Sequence, residues 1–356
     1  MTIDVSARTP VIDVRGLRRA FTVSRRVGRL RRHRETVMAV DGIDLQVDAG
    51  ELLGFLGPNG AGKSTTIKML TGVLMPSGGH VRVCGLVPVS QRQRLARQIG
   101  VVFGQRTQLW WDLPLRDSFE LARHIWRVPA ADHAARLARF TRELELSFLD
   151  TPVRQLSLGQ RMRAELTVAL LHDPRVVFLD EPTIGLDVVS KQAVRSFLTE
   201  LRDRGDTTVV LTTHDLGDVE RLCRRIVVID HGRVVHDGTL ESLHARYGSR
   251  RTVVVTLEEP LASPVARSGV ELAGTSPDGR VLTFSLDGGT PAGALVAALA
   301  EVGGLRDIAI SEPDIEDVVA RLYLSPAPRP RGQSVQDEPR GQSARSTPDS
   351  DVSDVP

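Results

Sequence analysis

A glycine-rich turn between an apolar run and a helical run constrains the fold of this chain more than any other feature. The turn, GPNGAGKST (57–65), follows ELLGFLG (51–57) and leads into the helical run STTIKML. Its three glycines allow the backbone N–H groups to point inward, and the helix N-terminus adds positive potential. The pattern predicts a phosphate-binding loop in which Lys63 reaches the outer phosphates and Ser64 ligates magnesium.

Around this turn, apolar runs alternate with amphipathic helical stretches from residue 11 to about 247. Further strand candidates are RVVFLDE (175–181), TTVVLTTH (207–214) and RRIVVID (224–230). This alternation predicts an α/β domain with a largely parallel sheet covered by helices. The chain has 356 residues and is 41% hydrophobic, which is enough for one such domain and a smaller one.

A second unit and a polar tail follow the α/β domain. Residues 250–324 have the pattern strand, strand, helix, strand, helix, which predicts a small α+β domain whose first helix is capped by Thr290 and begins at Pro291. Residues 325–356 are rich in Pro, Ser, Arg and Asp, so we expect a disordered tail that buries no core.

Composition narrows the cellular context. Cys84 and Cys223 are far apart and accompany no Cys/His cluster, which favours a reduced cytoplasmic protein without structural zinc. We expect no signal peptide and no membrane span, because the N-terminus lacks the basic and apolar regions and no run of about 18 apolar residues occurs. The net charge of +2 argues neither for nor against a nucleic-acid partner.

Two further motifs carry chemistry. VVFLDEP (176–182) places two carboxylates at the end of a predicted buried strand, where Asp180 is expected to hold magnesium and Glu181 to act as the general base. Alone, this motif is equally well a solvated acidic turn. LSLGQRMRAELTVALLHDP (156–174) has the Ser157–Gln160 spacing of a capping box and opens a second helix N-terminus suited to phosphate, although an ordinary cap has the same spacing.

Together these motifs resemble the ATP-binding cassette (ABC) ATPases over residues 11 to about 247. GPNGAGKST resembles the Walker A loop, VVFLDEP resembles Walker B, and LSLGQ is similar to the family signature LSGGQ, with Leu158 in place of a glycine. GQ (104–105), GLD (185–187) and His214 resemble the Q-loop, the D-loop and the switch histidine. The resemblance implies a P-loop NTPase of ABC type: a RecA-like core sheet, an antiparallel subdomain and a helical subdomain inserted at about 105–172.

The resemblance also implies roles for individual residues, with ATP and Mg²⁺ as the bound species. Glu181, His214 and Gln105 would be catalytic, and Ser64, Gln105 and Asp180 would hold the metal. The residues that would contact the nucleotide of their own chain are Phe21, Gly57, Pro58, Asn59, Gly60, Ala61, Gly62, Lys63, Ser64 and Thr65. Phe21 would stack on adenine, with a core position as the alternative.

In this family two cassettes pair head to tail. Each ATP would therefore lie between one chain's Walker A loop and Ser157, Gly159 and Gln160 of the other, with Asp187 in the D-loop. Three classes of cassette protein then compete: the ATPase subunit of a transporter, a ribosomal cassette protein, and a chromosome or repair ATPase. A single uninterrupted cassette without heptads favours the transporter.

The separate cassette followed by a small C-terminal domain resembles the type 2 ABC exporter branch. The implied partners are a second cassette, in a homodimer, and an integral membrane permease, which places the chain at the cytoplasmic face of the membrane. No nucleic acid is expected as a partner. A soluble ABC ATPase that acts on ribosomes or nucleic acid is the alternative.

Two segments lie outside these motifs. RTQLWWDLP (106–114) puts Trp110 and Trp111 side by side in a chain that is only 4% aromatic, and adjacent residues do not face the same core. We predict that at least one ring is partly exposed in a groove that docks the permease; the alternative is that both rings are core. The insert SRRVGRLRRHRE (24–35) could contact lipid headgroups or the partner near the membrane, or it could bind RNA. The simplest interpretation is a solvated loop between two strands.

Overall fold

The predicted strands assemble into a central mixed sheet. The protein is represented by a computed structural model that describes residues 10–27, 31–104, 106–213, 215–247, 250–260, 268–287, 290–311 and 318–319. In spatial order the strands of the central sheet are β5 (Ile99–Phe103), β6 (Val176–Asp180), β7 (Thr208–Thr212), β3 (Leu52–Leu56), β8 (Arg225–Asp230) and β9 (Arg233–Gly238). Neighbours among the first five are parallel, whereas β9 runs antiparallel to β8 at the edge. Strands β3 and β7 are buried along their whole length, as expected for the inner strands of a covered parallel sheet.

A second sheet is antiparallel and has the order β2–β1–β4. Its strands are β1 (Ile12–Val27), β2 (Arg31–Val47) and β4 (Gly78–Val83). Apolar side chains of this sheet, including Ile12 and Val40, share one buried cluster with Phe55 and Val227 of the central sheet. The two sheets therefore pack face to face beside the glycine-rich turn.

The arginine-rich insert differs from the expected loop. Strand β1 continues to Val27 and β2 begins at Arg31, with Arg26 paired to Arg32 across the ladder. The insert therefore lengthens a β-hairpin on both sides of residues 28–30, which lie outside the described part of the chain. An arginine-rich composition does not prevent strand formation, because the ladder is built from backbone N–H and C=O groups, which every residue other than proline supplies.

Helices cover the central sheet. In chain order they are α1 (Lys63–Leu70), α2 (Arg92–Ala96), α3 (Leu115–Trp126), α4 (Ala130–Glu143), α5 (Leu158–Leu170), α6 (Val188–Arg204), α7 (Leu216–Leu222) and α8 (Leu240–Tyr247), with a 3₁₀ turn at Val153–Gln155. Helices α3 to α5 form the helical region between β5 and β6. Phe140 of α4 meets Phe197 of α6 edge to face, with 6.1 Å between ring centroids, so this region packs onto the core through fully buried aromatic side chains.

The C-terminal residues form a separate antiparallel sheet with the order β11–β12–β10–β13. Its elements are β10 (Arg250–Leu257), β11 (Val270–Thr275), β12 (Val281–Asp287), β13 (Leu305–Ser311) and α9 (Ala292–Gly303). A small cluster that includes Val253, Phe284 and Leu295 packs α9 against the sheet. The predicted α/β architecture, with an antiparallel subdomain and a small C-terminal α+β domain, is confirmed.

Several details of this domain differ from the sequence expectation. Strand β11 was not predicted, because VELAGT has a glycine and several exposed positions that obscure its alternation. Helix α9 begins at Ala292 with Pro291 in the cap position, so Thr290 lies one residue before the cap and not at it. Among the described residues, no side chain caps this helix, and the Thr290 N–H donates to the Asp287 carbonyl at 2.8 Å. Of the last predicted helix, the structure describes only residues 318–319, and the predicted disordered tail lies outside the described residues. Among the described helices, none is both long and apolar enough to cross a bilayer.

Candidate active site

The candidate site lies where four neighbouring parallel strands end. Because β5, β6, β7 and β3 run side by side in the same direction, their carboxyl ends share one edge of the sheet. The segments that follow them contain the Q-loop, Walker B, switch-histidine and Walker A motifs in that spatial order. A cavity of about 300 Å³ at this edge is lined by Ser64, Gly104, Asp180 and Glu181, among other residues. The fold therefore brings motifs that are far apart in sequence to one place.

The glycine-rich turn has the backbone of a phosphate cradle. Gly57, Gly60 and Gly62 have φ values of 158°, 86° and 108°, and Gly62 caps α1 without a side chain. A Cβ atom at Gly62 would overlap the Ala39 carbonyl, so β2 borders the turn so closely that only glycine fits. Among the described residues, no side chain caps the first N–H groups of α1, which suits an anionic phosphate.

Lys63 is buried within this cradle. Its ammonium donates hydrogen bonds to the carbonyls of Gly57 and, at 3.2 Å, of Pro58. Burial lowers the pKa of Lys63, and the nearby carboxylates of Glu181 and Asp180 act in the opposite direction. A buried ammonium beside the first turn of α1 is the counter-charge that phosphate oxygens require.

Asp180 and Ser64 offer the oxygen ligands that Mg²⁺ prefers. The Ser64 hydroxyl lies 3.3 Å from Asp180 Oδ1, and the Thr212 hydroxyl donates to the same oxygen at 2.6 Å. Among the described residues, no group of three or more His, Cys, Asp or Glu side chains is placed to hold a metal. One carboxylate and one hydroxyl fit Mg²⁺, which commonly completes its shell with phosphate oxygens and water.

Glu181 is held in a strained conformation beside Asp180. Its φ of 55° is uncommon for a residue other than glycine, and its N–H donates to the Thr212 carbonyl at 3.0 Å. The half-buried Glu181 lines the same cavity as Ser64. Backbone strain of this kind is concentrated at functional sites, where the surrounding structure fixes it.

Gln105 and His214 lie outside the described residues, so the structure shows only their neighbours. The Gly104 N–H donates to the Asp180 carbonyl at 2.9 Å, which places the start of the Q-loop beside the predicted metal ligand. Thr213 is buried at the end of β7, and its hydroxyl accepts the Asp215 N–H at 2.9 Å. The roles of Gln105 and His214 stay predictions.

The signature motif forms the predicted capping box. Ser157 Oγ accepts the Gln160 N–H at 3.2 Å, and the Gln160 side chain accepts the Ser157 N–H at 2.9 Å. Ser157 is exposed, whereas Gly159 is buried against α6, where an added Cβ would lie 2.5 Å from Ser190 Cβ. Gly159 thus serves a close contact between α5 and α6, a reason for glycine that its sequence context did not indicate.

The D-loop carboxylate caps α6. Asp187 accepts the Ser190 N–H at 2.9 Å and the Ser190 hydroxyl at 2.7 Å. These hydrogen bonds lower the pKa of Asp187. Ser190 also meets Gly159, so the signature and the D-loop contact each other within one chain.

Phe21 is on the surface and not in the core. It lies on β1 opposite Val37, its side chain is 36% exposed, and the Arg19 guanidinium sits 4.6 Å from its ring centroid. The β2 strand that pairs with it borders the glycine-rich turn at Ala39. An exposed ring one strand away from the phosphate cradle is compatible with adenine stacking, which stays a prediction.

Both tryptophans of the pair are partly exposed. Trp110 is 37% and Trp111 is 47% exposed, and the Arg161 guanidinium lies 5.6 Å from the Trp111 ring centroid. Trp111 lines a groove together with Leu158 and Arg161 of α5. The alternative that both rings are core is therefore wrong, and docking of a partner stays a prediction.

Two residues of this region, Thr212 and Glu165, are not among those predicted from the sequence. Thr212 contacts both carboxylate residues, by its hydroxyl to Asp180 and by its carbonyl to the Glu181 N–H. Glu165 of α5 is buried at 4% exposure against Thr107, just after the Q-loop. The TTH triplet (212–214), which ends at His214, was a signal for Thr212, whereas no local pattern indicates that a glutamate within a helix is buried.

Comparison with known proteins gives the family. A family model described as ABC transporter matches residues 40–184. The chain is 34% identical to the Nod factor export ATP-binding protein I of Ralstonia nicotianae over 326 residues, which cover 88% of this chain and 94% of that protein. It is 36% identical to the daunorubicin resistance ATP-binding protein DrrA3 of Streptomyces coeruleorubidus, with 80% and 90% covered.

Two further comparisons concern a longer relative and a solved structure. The chain is 32% identical over 271 residues to ABC transporter A family member 1 of Dictyostelium discoideum, and it spans 30% of that protein's length. A bacterial ABC transporter cassette named MJ0796, described as dimeric, superposes with a TM-score of 0.53 at 25% identity, covering 64% of this chain and 98% of that one. The chain therefore belongs to the ABC transporter family, as one of its ATP-binding and ATP-hydrolysing cassettes.

Proposed function

We propose that this chain is the ATPase subunit of a bacterial exporter, which drives a separate membrane permease by ATP-dependent pairing of two cassettes at the cytoplasmic face of the membrane. Similarity to the Nod factor export and daunorubicin resistance ATP-binding proteins supports export, because it extends over most of each chain. The transported substrate is selected by the permease.

The cavity at the strand ends supplies the chemistry of hydrolysis. Lys63 and the N–H groups of the cradle bind the phosphates, and Glu181 takes the proton of the attacking water. Asp180 and Ser64, joined by Gln105, would hold Mg²⁺, which when bound neutralises charge on the phosphate oxygens. Thr212 keeps the Asp180 carboxylate oriented toward Ser64.

One observation supports the pairing of two cassettes: two helix N-termini that suit phosphate lie apart within the chain. The start of α1 is part of the phosphate cradle, next to the cavity that contains Ser64, whereas Ser157 does not line that cavity and is exposed at the start of α5. Contact of Gly159 with Ser190 ties α5 to its own D-loop. Ser157 and Gly159 therefore serve a nucleotide held by a second copy of the chain, with Asp187 at the junction.

The exposed tryptophan pair is the proposed permease-docking surface. Trp and Arg are favoured anchor residues at protein interfaces, and Trp111 beside Arg161 provides both in a groove next to α5. The groove also contains Gly104 and Arg106, which flank Gln105. Docking here would place the permease next to the segment that contacts the nucleotide site.

The test is co-purification of the tagged chain from membranes together with its multi-span subunit. The Trp111→Ala variant should bind that subunit more weakly by on the order of 2 kcal/mol, about 30-fold in Kd, with basal ATPase nearly unchanged. Met75→Ala, which truncates another exposed apolar side chain, is the matched control and should bind normally. Co-sedimentation with ribosomes in place of a membrane subunit would contradict the exporter assignment and favour the soluble alternative.

A further inference from the structure

We infer that Glu165 is a positioning residue that couples the nucleotide site to the tryptophan pair, by fixing the segment after Gln105 to helix α5. The inference rests on the proposed function for the role of the tryptophan pair in docking. Its physical content, a nucleotide-dependent displacement of Trp110 and Trp111, is measurable in the isolated chain.

The contacts of Glu165 are concentrated on one short segment. Its Oε1 atom accepts hydrogen bonds from the Thr107 hydroxyl and, at 3.1 Å, from the Gln108 N–H, while Oε2 lies 3.2 Å from the same N–H. The Thr107 hydroxyl in turn accepts the Leu109 N–H at 3.1 Å. One carboxylate of α5 therefore organises three consecutive residues that lie between Gln105 and the tryptophans.

The tryptophan turn is tied to the same structural unit by its backbone. The Arg154 N–H donates to the Trp111 carbonyl at 2.9 Å, and the Val153 N–H donates to the Leu113 carbonyl at 3.1 Å. Residues 153–155 form the 3₁₀ turn that leads directly into Ser157 and α5. The segment 106–113 is thus held at two separate places, by Glu165 in the middle of α5 and by the 3₁₀ turn that precedes α5.

The other end of this segment reaches the nucleotide site. Gly104 donates its N–H to the Asp180 carbonyl, so the chain passes from the metal-binding carboxylate through position 105 to Thr107 within a few residues. A shift of this segment when nucleotide binds is passed on to α5 through Glu165, and so to Ser157 and to Trp111. Without the carboxylate, the segment would move independently of the helix.

Packing alone does not explain a glutamate at this position. Glu165 is 4% exposed, and burial raises the pKa of its carboxyl, which means that the folded chain disfavours the ionised form. A leucine would fill a similar volume without that penalty. A carboxylate that costs stability and accepts hydrogen bonds from the segment between two proposed functional sites is more consistent with positioning than with core filling.

The test uses the full chain with Trp126→Phe, so that tryptophan emission reports only Trp110 and Trp111. Three variants are compared in this reference chain: Glu165→Leu removes the acceptors, Thr107→Val removes one donor, and Glu165→Gln keeps one acceptor oxygen for both donors. Each is measured for nucleotide affinity, kcat, KM and the ATP-induced change in emission, with circular dichroism as the folding control.

The reference chain should show an ATP-induced change in emission. In Glu165→Leu that change should be lost and kcat should fall by about tenfold, with KM and nucleotide affinity within about threefold of the reference, because binding residues are untouched. Thr107→Val should reduce the ATP-induced emission change by about half. If Glu165→Leu does not fold, the emission change of Thr107→Val serves as the test of the coupling. Glu165→Gln should behave like the reference, which is rescue by the conservative variant.

The inference is overturned if the reference chain shows no nucleotide-dependent change in emission, if Thr107→Val and a folded Glu165→Leu keep it in full, or if Glu165→Gln loses it. These outcomes are independent of permease binding. If the chain instead fails to associate with a membrane subunit while the emission results hold, the exporter proposal fails and the positioning role of Glu165 stands.

Discussion

Asp180 and Glu181 are neighbours in sequence, yet their surroundings differ, and we propose a different task for each. Asp180 Oδ1 accepts from the hydroxyls of Thr212 and Ser64, which suits a fixed metal ligand. Glu181 follows with a left-handed backbone that turns it into the same cavity. Two adjacent carboxylates would otherwise be a costly feature at a strand end, and the proposed division of roles would explain why both are present.

At this scale the sharpest prediction concerns the base. Glu181→Gln removes proton acceptance but keeps the size of the side chain, so the variant should bind ATP normally and hydrolyse it about 10²- to 10⁴-fold more slowly. Phosphate release in single-turnover conditions measures the rate, and a fluorescent ATP analogue measures binding. Lys63→Ala is the contrasting control, since it should lose nucleotide affinity. A Glu181→Gln variant with the wild-type rate would remove this residue from the catalytic role.

The secondary-structure elements that are best predicted from the sequence are strands buried on both faces. Strands β3, β6, β7 and β8 were predicted from apolar runs, because inner strands of a parallel sheet are covered on both faces and carry few polar residues. Strand β11 has no such run, and the arginine-rich insert has a composition typical of a loop. Elements whose pairing depends on a partner strand more than on their own residues were therefore missed.

In the candidate site, as in the fold, residues that belong to a local sequence pattern were predicted and residues that depend on distant contacts were not. Cradle, carboxylates and capping box are local patterns, so their residues were identified from sequence. Contacts between distant segments leave no local signal. Glu165 contacts Thr107, which is 58 positions away in sequence, and Ser190 leaves no room for a side chain at Gly159. Such contacts depend on how α5 packs against its neighbours.

The buried Glu165 gives a pH-dependent prediction at the scale of the helix. Because burial raises the pKa of its carboxyl, its contribution to stability is present below the unfolded value and is lost as pH rises through the raised folded value. The free energy of unfolding of wild type should therefore fall relative to Glu165→Gln as pH increases from about 4.3, the ordinary glutamate value. Urea unfolding at several pH values measures the difference, and a difference that is constant with pH would show that Glu165 titrates normally.

At the scale of the whole molecule, the phosphate cradle and the signature motif have different surroundings. The phosphate cradle, Asp180 and Glu181 surround one cavity, while the signature is exposed at the start of α5 and contacts its own D-loop. We propose on this basis that a complete site needs a second copy of the chain. The dimeric description of the related MJ0796 cassette is consistent with this requirement.

The most direct test of this account is the ATP-dependent association of the chain, followed by analytical ultracentrifugation in the Glu181→Gln background, which preserves bound ATP. The account predicts a dimer with ATP and a monomer without it. Adding Ser157→Arg, whose bulk obstructs the shared site, should abolish the dimer while each monomer still binds ATP with unchanged affinity. An ATP-dependent dimer that survives Ser157→Arg, or a Ser157→Arg monomer that no longer binds ATP, would contradict the shared site.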